Sequence, residues 1–276
     1  MIYIELLGGL GNQLFQIFCG ISYAIENKIP FKIIKTKRDK VSPVDSKSLR
    51  PTYWHNFLCN LSNFTCDNIN MLTYNEPSFI YNKIPNTNKH FKINGYFQSP
   101  KYFENYYKSI IELIELEKQK TEIIEKYKEY FNDKKIISLH FRIGDYVKKP
   151  EYHLILDIQY YINALKNILD KDNTCDAILY FNEQQDNNII ENMINNIKKS
   201  YPKLNFIQCS YDIPDWEQLL LMSLCNHNII SNSTFSWWAA YFNSNQEKIV
   251  CYPSVWFGPK CNNSTKDLFP KDWVKV

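Results

Sequence analysis

Arginine is scarce in this 276-residue chain: Arg38, Arg50 and Arg142 are three among 32 basic residues. Lysine is the default cation, so an arginine at a special position is there for its planar fork of donors. That fork suits a bidentate grip on phosphate or carboxylate. Net charge is nearly absent as well. At +3, with the lysines scattered, there is no electrostatic footprint for nucleic acid. The eight cysteines contain no C-x-x-C pair, and several fall inside apolar periodic segments. They read as reduced, buried thiols rather than a disulfide framework or zinc site. No signal peptide and no long apolar span is read. The expected location is cytoplasmic, with peripheral attachment to a membrane as the alternative. Internal repeats and low-complexity linkers are missing. The sequons at Asn60 and Asn63 are chance products of an Asn-rich chain.

What is present is an apolar fraction of 45%, enough for a packed core, and an aromatic fraction of 16%. Most of those rings read as core. Residues 2–7 predict a strand, the Gly8-Gly9-Leu10-Gly11 turn follows, and a helix runs from Asn12 to about Asn27. Pro30 closes that unit before a strand at Phe31 to Ile34. Prolines 43, 51, 77 and 85 make residues 41–90 irregular. A strand is expected over 91–97, a helix over 101–117 and a charged, solvated helix over 118–135. The second half alternates: strands at 136–141, 177–181, 204–208, 228–231 and 248–252, with helices near 158–169 and 186–199. Two further helices open at Asp215, in a D-x-x-Q capping pattern with Gln218, and at Ser233. Such alternation means parallel sheets covered on both faces. The expected domains are 1–132 and 133–276, with a cleft between them.

Three segments carry chemistry. Gly8 to Gln13 lies between a strand and a helix, where glycines let backbone approach a ligand and a helix N-terminus offers N–H groups. It is neither the dinucleotide fingerprint nor a P-loop. The run from His140 to Tyr146 leaves a buried strand with His, Arg, Gly, Asp and Tyr together, at the end where open α/β sheets bind ligands. His140 and Arg142 are expected to share one face; a strand-end Arg–Asp ion pair is the bland account. The third is Ser231 to Tyr241. Capping explains Ser233 but not Asn232, Thr234 and Ser236, which suit a diphosphate. Trp237 and Trp238 read as packing. The D-x-D pair with which metal-dependent glycosyltransferases hold a divalent ion is represented only by Asp170-Lys171-Asp172, in a hydrophilic turn that reads as surface.

Together these segments resemble glycosyltransferase family 11, the inverting GDP-fucose-dependent α-1,2-fucosyltransferases. The matching residues are Gly8 to Gln16, then Gly95-Tyr96-Phe97-Gln98 and Lys101-Tyr102-Phe103. They continue through 140–146, Tyr160-Tyr161-Ile162-Asn163-Ala164 and Leu221 to Ala240. The resemblance implies a GT-B type α/β fold: two Rossmann-like domains with parallel sheets facing a central cleft. The N-terminal domain would take mainly the acceptor and the C-terminal domain the GDP-sugar. No metal or other cofactor is expected. The donor would be GDP-fucose and the acceptor the 2-hydroxyl of a terminal galactose on a glycan.

Carried over, Arg142 would hold the diphosphate with His140 beside it. Gly9, Gly11, Asn12, Gln13, Asn182, Asn232, Ser233, Thr234 and Ser236 would contact the donor. Tyr96, Gln98, Tyr146 and His153 are the acceptor candidates. Asp145 is the candidate base, with orientation of Arg142 as the equal alternative and Glu151, His153 and Asp157 in reserve. Three positions depart from the family pattern. Ile143 replaces a second arginine and is expected to point away from Arg142. Asn182-Glu183-Gln184 replaces an acidic loop, and Gln218 replaces an aspartate. The competing readings are another GDP-sugar or linkage, and a non-catalytic GDP- or glycan-binding protein.

Overall fold

The computed structural model describes residues 1–36, 51–67, 70–131 and 134–276. Arg38, Arg50 and Pro43 lie outside them. The chain forms two compact units, Met1–Gln119 with Asn263–Pro270, and Lys120–Asn262 with Lys271–Val276. The division falls inside a helix rather than after residue 132, and a short C-terminal segment belongs to the first unit.

The first unit is built on β1 (Ile2–Ile4), wholly buried and flanked by parallel partners. Next to it lie β2 (Phe31–Ile34) and β5 (Phe91–Asn94), with β3 (Thr65–Cys66) and β4 (Thr73–Asn75) outside them. The order is β3-β2-β1-β5-β4. Helix α1 (Leu10–Glu26) is buried almost all round, its polar Gln13, Gln16 and Ser22 along with its apolar residues. A Cβ on Gly20 would stand 2.3 Å from Ile4 Cγ1, so this glycine lets α1 lie close on β1. The helix ends where Lys28 turns left-handed (φ 54) and Ile29 N–H returns to the Ala24 carbonyl at 3.0 Å.

The helix expected over 101–117 is broken. Two 3-10 turns, Pro100–Tyr102 and Glu104–Tyr106, precede α2 (Tyr107–Leu113). Glu115 at φ 53 then separates α2 from α3 (Leu116–Lys126). A residue in the left-handed region cannot continue a right-handed helix, and nothing in the apolar period announces it.

The second unit holds β6 (Ile136–His140), β7 (Ala177–Phe181), β8 (Asn205–Gln208), β9 (His227–Ile229), β10 (Val250–Tyr252) and β11 (Val274–Lys275). All pair in parallel, in the order β11-β10-β9-β6-β7-β8. The last strand was not expected from the sequence. The helices are α4 (Ile158–Leu169), α5 (Asn187–Ser200), α6 (Asp215–Leu224) and α7 (Thr234–Phe242). Trp237 and Trp238 are fully buried, as their packing role requires. Helix α6 starts where expected but without a capping box. Pro214 is its N-cap, Asp215 lies inside the first turn, and Gln218 Nε2 donates to the Ile213 carbonyl at 2.8 Å. All eight cysteines are free thiols.

Candidate active site

In each sheet the chain builds outward on one side of its first strand and then crosses to the other. The second sheet reverses between β6 and β9, which pair directly through Leu139 and Ile229. The first reverses between β1 and β5. In open α/β sheets the carboxyl ends flanking such a reversal diverge and leave a crevice for ligand. The segments after β6 and β9 are His140–Tyr146 and Ser231–Ser236. Those after β1 and β5 are Gly8–Gln13 and Gly95–Gln98. Every motif that carried the family resemblance at a strand end therefore sits at a reversal point.

At the second unit's rim, His140 is buried and its Nδ1 lies 2.8 Å from Ser231 Oγ. Ser231 Oγ is 3.4 Å from Ser236 Oγ, which donates to the Ser233 carbonyl at 3.3 Å. Burial first, and the Arg142 charge second, push the His140 imidazole down to about 3. It is neutral at physiological pH, and the positive charge here is that of Arg142. The Arg142 guanidinium pairs with Glu183 beyond β7 and lies over the Tyr146 ring, 5.2 Å from its centroid. Tyr146 stacks on His153 (4.3 Å, 15°) and donates from its hydroxyl to the Asn232 carbonyl at 2.9 Å. Tyr146 and His153, proposed from sequence for the acceptor, thus also brace Arg142. Ile143, beyond the end of β6, is buried in the core, while Arg142 is only partly buried.

Helix α7 begins beside this group. Ser233 is its N-cap, its Oγ accepting from Phe235 N–H at 3.4 Å. Asn232 Nδ2 donates to the Leu154 (2.8 Å) and Trp256 (3.2 Å) carbonyls, while its Oδ1 is buried with no hydrogen-bond partner among the described residues. Ser236 is buried, while Thr234 is partly exposed. The N-terminus of α7 brings its positive dipole end to this group. Asn182 is also occupied. Its Nδ2 donates to Tyr211 Oη at 3.0 Å and its Oδ1 accepts from Gln208 Nε2 at 3.2 Å.

Asp145 lies on the 3-10 turn Gly144–Lys148; its side chain is outside the described part of the structure. The reserve bases have other duties. Asp157 caps α4 by accepting from Tyr160 N–H at 3.1 Å, and Glu151 pairs with Lys260 at 2.6 Å. Asp186, which no sequence signal marked, holds the Gly144 N–H at 2.7 Å and so anchors the turn after Arg142.

At the first unit's rim, Gly8 is left-handed (φ 77), while a Cβ on Gly9 would meet nothing within 4 Å. Gly9 is the N-cap of α1 and leaves the approach to that helix end open. Gly11 is buried on the first turn. Gln13 is only 2% exposed, and its Nε2 donates to the Gly8 (3.1 Å) and Pro51 (2.9 Å) carbonyls. It holds the turn together and does not face outward. Gln16, quoted in the motif without a role, clamps both polar groups of Leu7, accepting its N–H at 2.8 Å and donating to its carbonyl at 3.3 Å. Gln98 is buried and donates to Asn12 Oδ1 at 3.1 Å, tying the β5 loop to α1. Tyr96 is 36% exposed.

Asp172, Cys175 and His227 bring one ligand atom each within 4.8 Å of one another. They lie at the amino ends of β7 and β9, away from the rim. His227 Nδ1 accepts the Ile249 N–H at 3.0 Å, so the ring's proton is on Nε2 and points to Asp172 at 2.8 Å. A metal-bound histidine has the opposite arrangement, its second nitrogen donating. Lys135 Nζ, 2.5 Å from Asp172, already neutralises that carboxylate. The cluster is a pin, and Asp172 is half-buried within it rather than on the surface.

Two doubly wound parallel sheets, each with its motif loops at a reversal point, define the α/β architecture of the GT-B fold. The chain belongs to glycosyl transferase family 11, whose model matches residues 30–276. It is 25% identical to the alpha-1,2-colitosyltransferase of Escherichia coli over 305 residues, covering 100% of this chain and 99% of that protein. It is 37% identical over 142 residues to the O-antigen biosynthesis glycosyltransferase WbnK of Escherichia coli, a match covering 50% of this chain and 44% of WbnK. Among solved structures, an Arabidopsis thaliana FUT1 mutant in complex with GDP superposes with a TM-score of 0.50 at 13% identity. That match covers 90% of this chain and 69% of the other. A family 9 glycosyl transferase from Veillonella parvula gives 0.50 at 8% identity, covering 100% and 86%. Identities this low speak to the fold alone.

Proposed function

We propose that this protein transfers L-fucose, with inversion, from GDP-β-L-fucose to the 2-hydroxyl of a terminal galactose on a glycan. The observation that carries the reading is the pairing of β6 with β9, which puts Arg142 and the N-terminus of α7 on adjacent strand ends. The whole-length relative named for an α-1,2 transfer supports the linkage.

In such a reaction the acceptor oxygen attacks the anomeric carbon in line, the sugar passes through an oxocarbenium-like state, and negative charge grows on the departing diphosphate. Arg142 and the α7 N-terminus are placed to stabilise that charge. Preorganised donors of this kind are worth roughly 10²–10³-fold in rate each. His140, held neutral, contributes no competing cation and keeps Ser231 and Ser236 in register. No metal has a part in this scheme. The D-x-D aspartates stand at the amino end of the sheet, where Asp170 pairs with Lys166 and Asp172 with Lys135. Asp145, three residues beyond Arg142, is assigned as the base that receives the hydroxyl proton.

The test is incubation of purified protein with GDP-fucose, a panel of β-galactosides and EDTA, reading GDP release and fucoside formation. Absence of both across the panel sinks the proposal. A second reading, the same transfer with a different donor sugar, is favoured by the colitosyltransferase match. Calorimetric competition among GDP-sugars separates the two. A binding-only protein would show GDP affinity with no turnover of any donor.

A further inference from the structure

We infer that Glu76 is a positioning residue for the acceptor: its carboxylate fixes the Tyr96–Phe97–Gln98 turn on the first unit's rim. The inference rests on assigning that rim to the acceptor sugar.

Glu76 follows the edge strand β4 and continues its pairing, donating its N–H to the Asn94 carbonyl at 2.9 Å. Its Oε2 accepts two consecutive backbone N–H groups, from Tyr96 at 2.7 Å and Phe97 at 3.0 Å. Phe97 is left-handed (φ 50), a conformation that a bulky residue adopts only when its surroundings impose it. The two charge-assisted bonds impose it here. The Phe97 ring is fully buried, so the turn is gripped from both sides. Gly95 completes the grip: a Cβ there would stand 2.4 Å from Glu76 Cβ and 2.8 Å from Oε2.

From the turn outward, Ser99 N–H closes on the Phe97 carbonyl at 2.8 Å and Gln98 reaches Asn12 on the first turn of α1. Tyr96 projects from the same turn with its ring 5.8 Å from that of Phe79. One half-buried carboxylate thereby sets two of the four residues that the sequence marked for acceptor contact. Its other oxygen, Oε1, is buried and accepts no hydrogen bond from the described residues. Burial raises the Glu76 carboxyl, against the lowering effect of the two backbone N–H groups.

Glu76→Ala and Glu76→Gln in the full chain test this. Glutamine keeps an acceptor for both N–H groups and removes the charge. With GDP-fucose and a β-galactoside, E76A should raise the acceptor KM at least tenfold and leave GDP affinity within twofold, and E76Q should restore the acceptor KM. An unchanged acceptor KM in E76A, or no rescue by E76Q, overturns the inference. Amide hydrogen exchange reads the same turn without catalysis. Exchange at Tyr96 and Phe97 should be at least tenfold faster in E76A and unchanged in E76Q. If the wild-type protein transfers no sugar, the proposed reaction falls, and unaltered exchange in E76A then removes Glu76's role separately. Should E76A not fold, Gly95→Ala, which crowds the carboxylate from the other side, must reproduce the faster exchange, and wild-type protection there would refute the role.

Discussion

Replacing His140 by Asn should flatten the acid limb of stability. In the unfolded chain a histidine titrates near 6.5, whereas the buried His140 is pushed down to about 3. A lowered imidazole means that the folded state resists protonation. Its contribution is intact above pH 6.5 and is lost as pH falls from 6.5 toward 3, because the unfolded chain binds the proton first. The slope over that window is about 1.4 kcal/mol per pH unit, so between pH 7.5 and 5 the loss is about 2 kcal/mol. Asparagine can still reach Ser231 and does not titrate. Carboxylates and the other four histidines are common to both proteins and cancel in the comparison. Urea unfolding followed by tryptophan fluorescence suits this unit, since Trp216, Trp237, Trp238, Trp256 and Trp273 all belong to it. Wild type should lose about 2 kcal/mol more than H140N between the two pH values. Equal losses, within about 0.5 kcal/mol, would show that His140 is not held neutral beside Arg142.

Arg142→Ala should weaken GDP binding by roughly 10–100-fold, the worth of a charged hydrogen-bonded contact, with Arg142→Lys recovering only part because the fork is lost; calorimetry checks both. Glu183→Gln frees Arg142 from its ion pair and should tighten GDP by up to about fivefold, the scale of a partly exposed pair; weaker binding would mean that Glu183 itself helps to build the donor site. The two turn glycines should part company. Gly8→Ala meets a positive φ and Asn12 Nδ2 at 2.4 Å, and should cost at least about 1 kcal/mol. Gly9→Ala meets nothing within 4 Å; its stability should stay within about 0.5 kcal/mol of wild type while turnover of GDP-fucose falls. Thermal melts and a GDP-release assay distinguish them.

Much of the second unit was legible because its elements are regular. Helix α4 and strand β7 fall where periodicity and composition put them, and Ser233 caps α7 as its type demands. Illegible features depend on a single unusual residue or on a distant partner. Glu115 breaks a helix by adopting φ 53, and Pro214 displaces Asp215 from the cap. Strand β11, two residues long, exists only because β10 offers an edge. At the rim, residue type alone did not separate outward from inward. Gln13 and Asn232 look ligand-directed in the sequence; in the fold their amide nitrogens serve nearby carbonyls, and their amide oxygens have no hydrogen-bond partner among the described residues.

Taken by itself, the sequence determined the local junctions: glycines between β1 and α1, an arginine just past β6, a capped helix start after β9. These follow from backbone freedom, donor geometry and capping, which act within a few residues. Tertiary structure decided which junctions meet. Placing β6 beside β9 and β1 beside β5 requires parallel pairing across long crossovers, and that choice is made by burial of whole faces rather than by any local pattern. Pairing of β7 with β6 brought Glu183 onto Arg142, and pairing of β5 with β1 brought Gln98 onto Asn12, across separations of 41 and 86 residues that no motif spans.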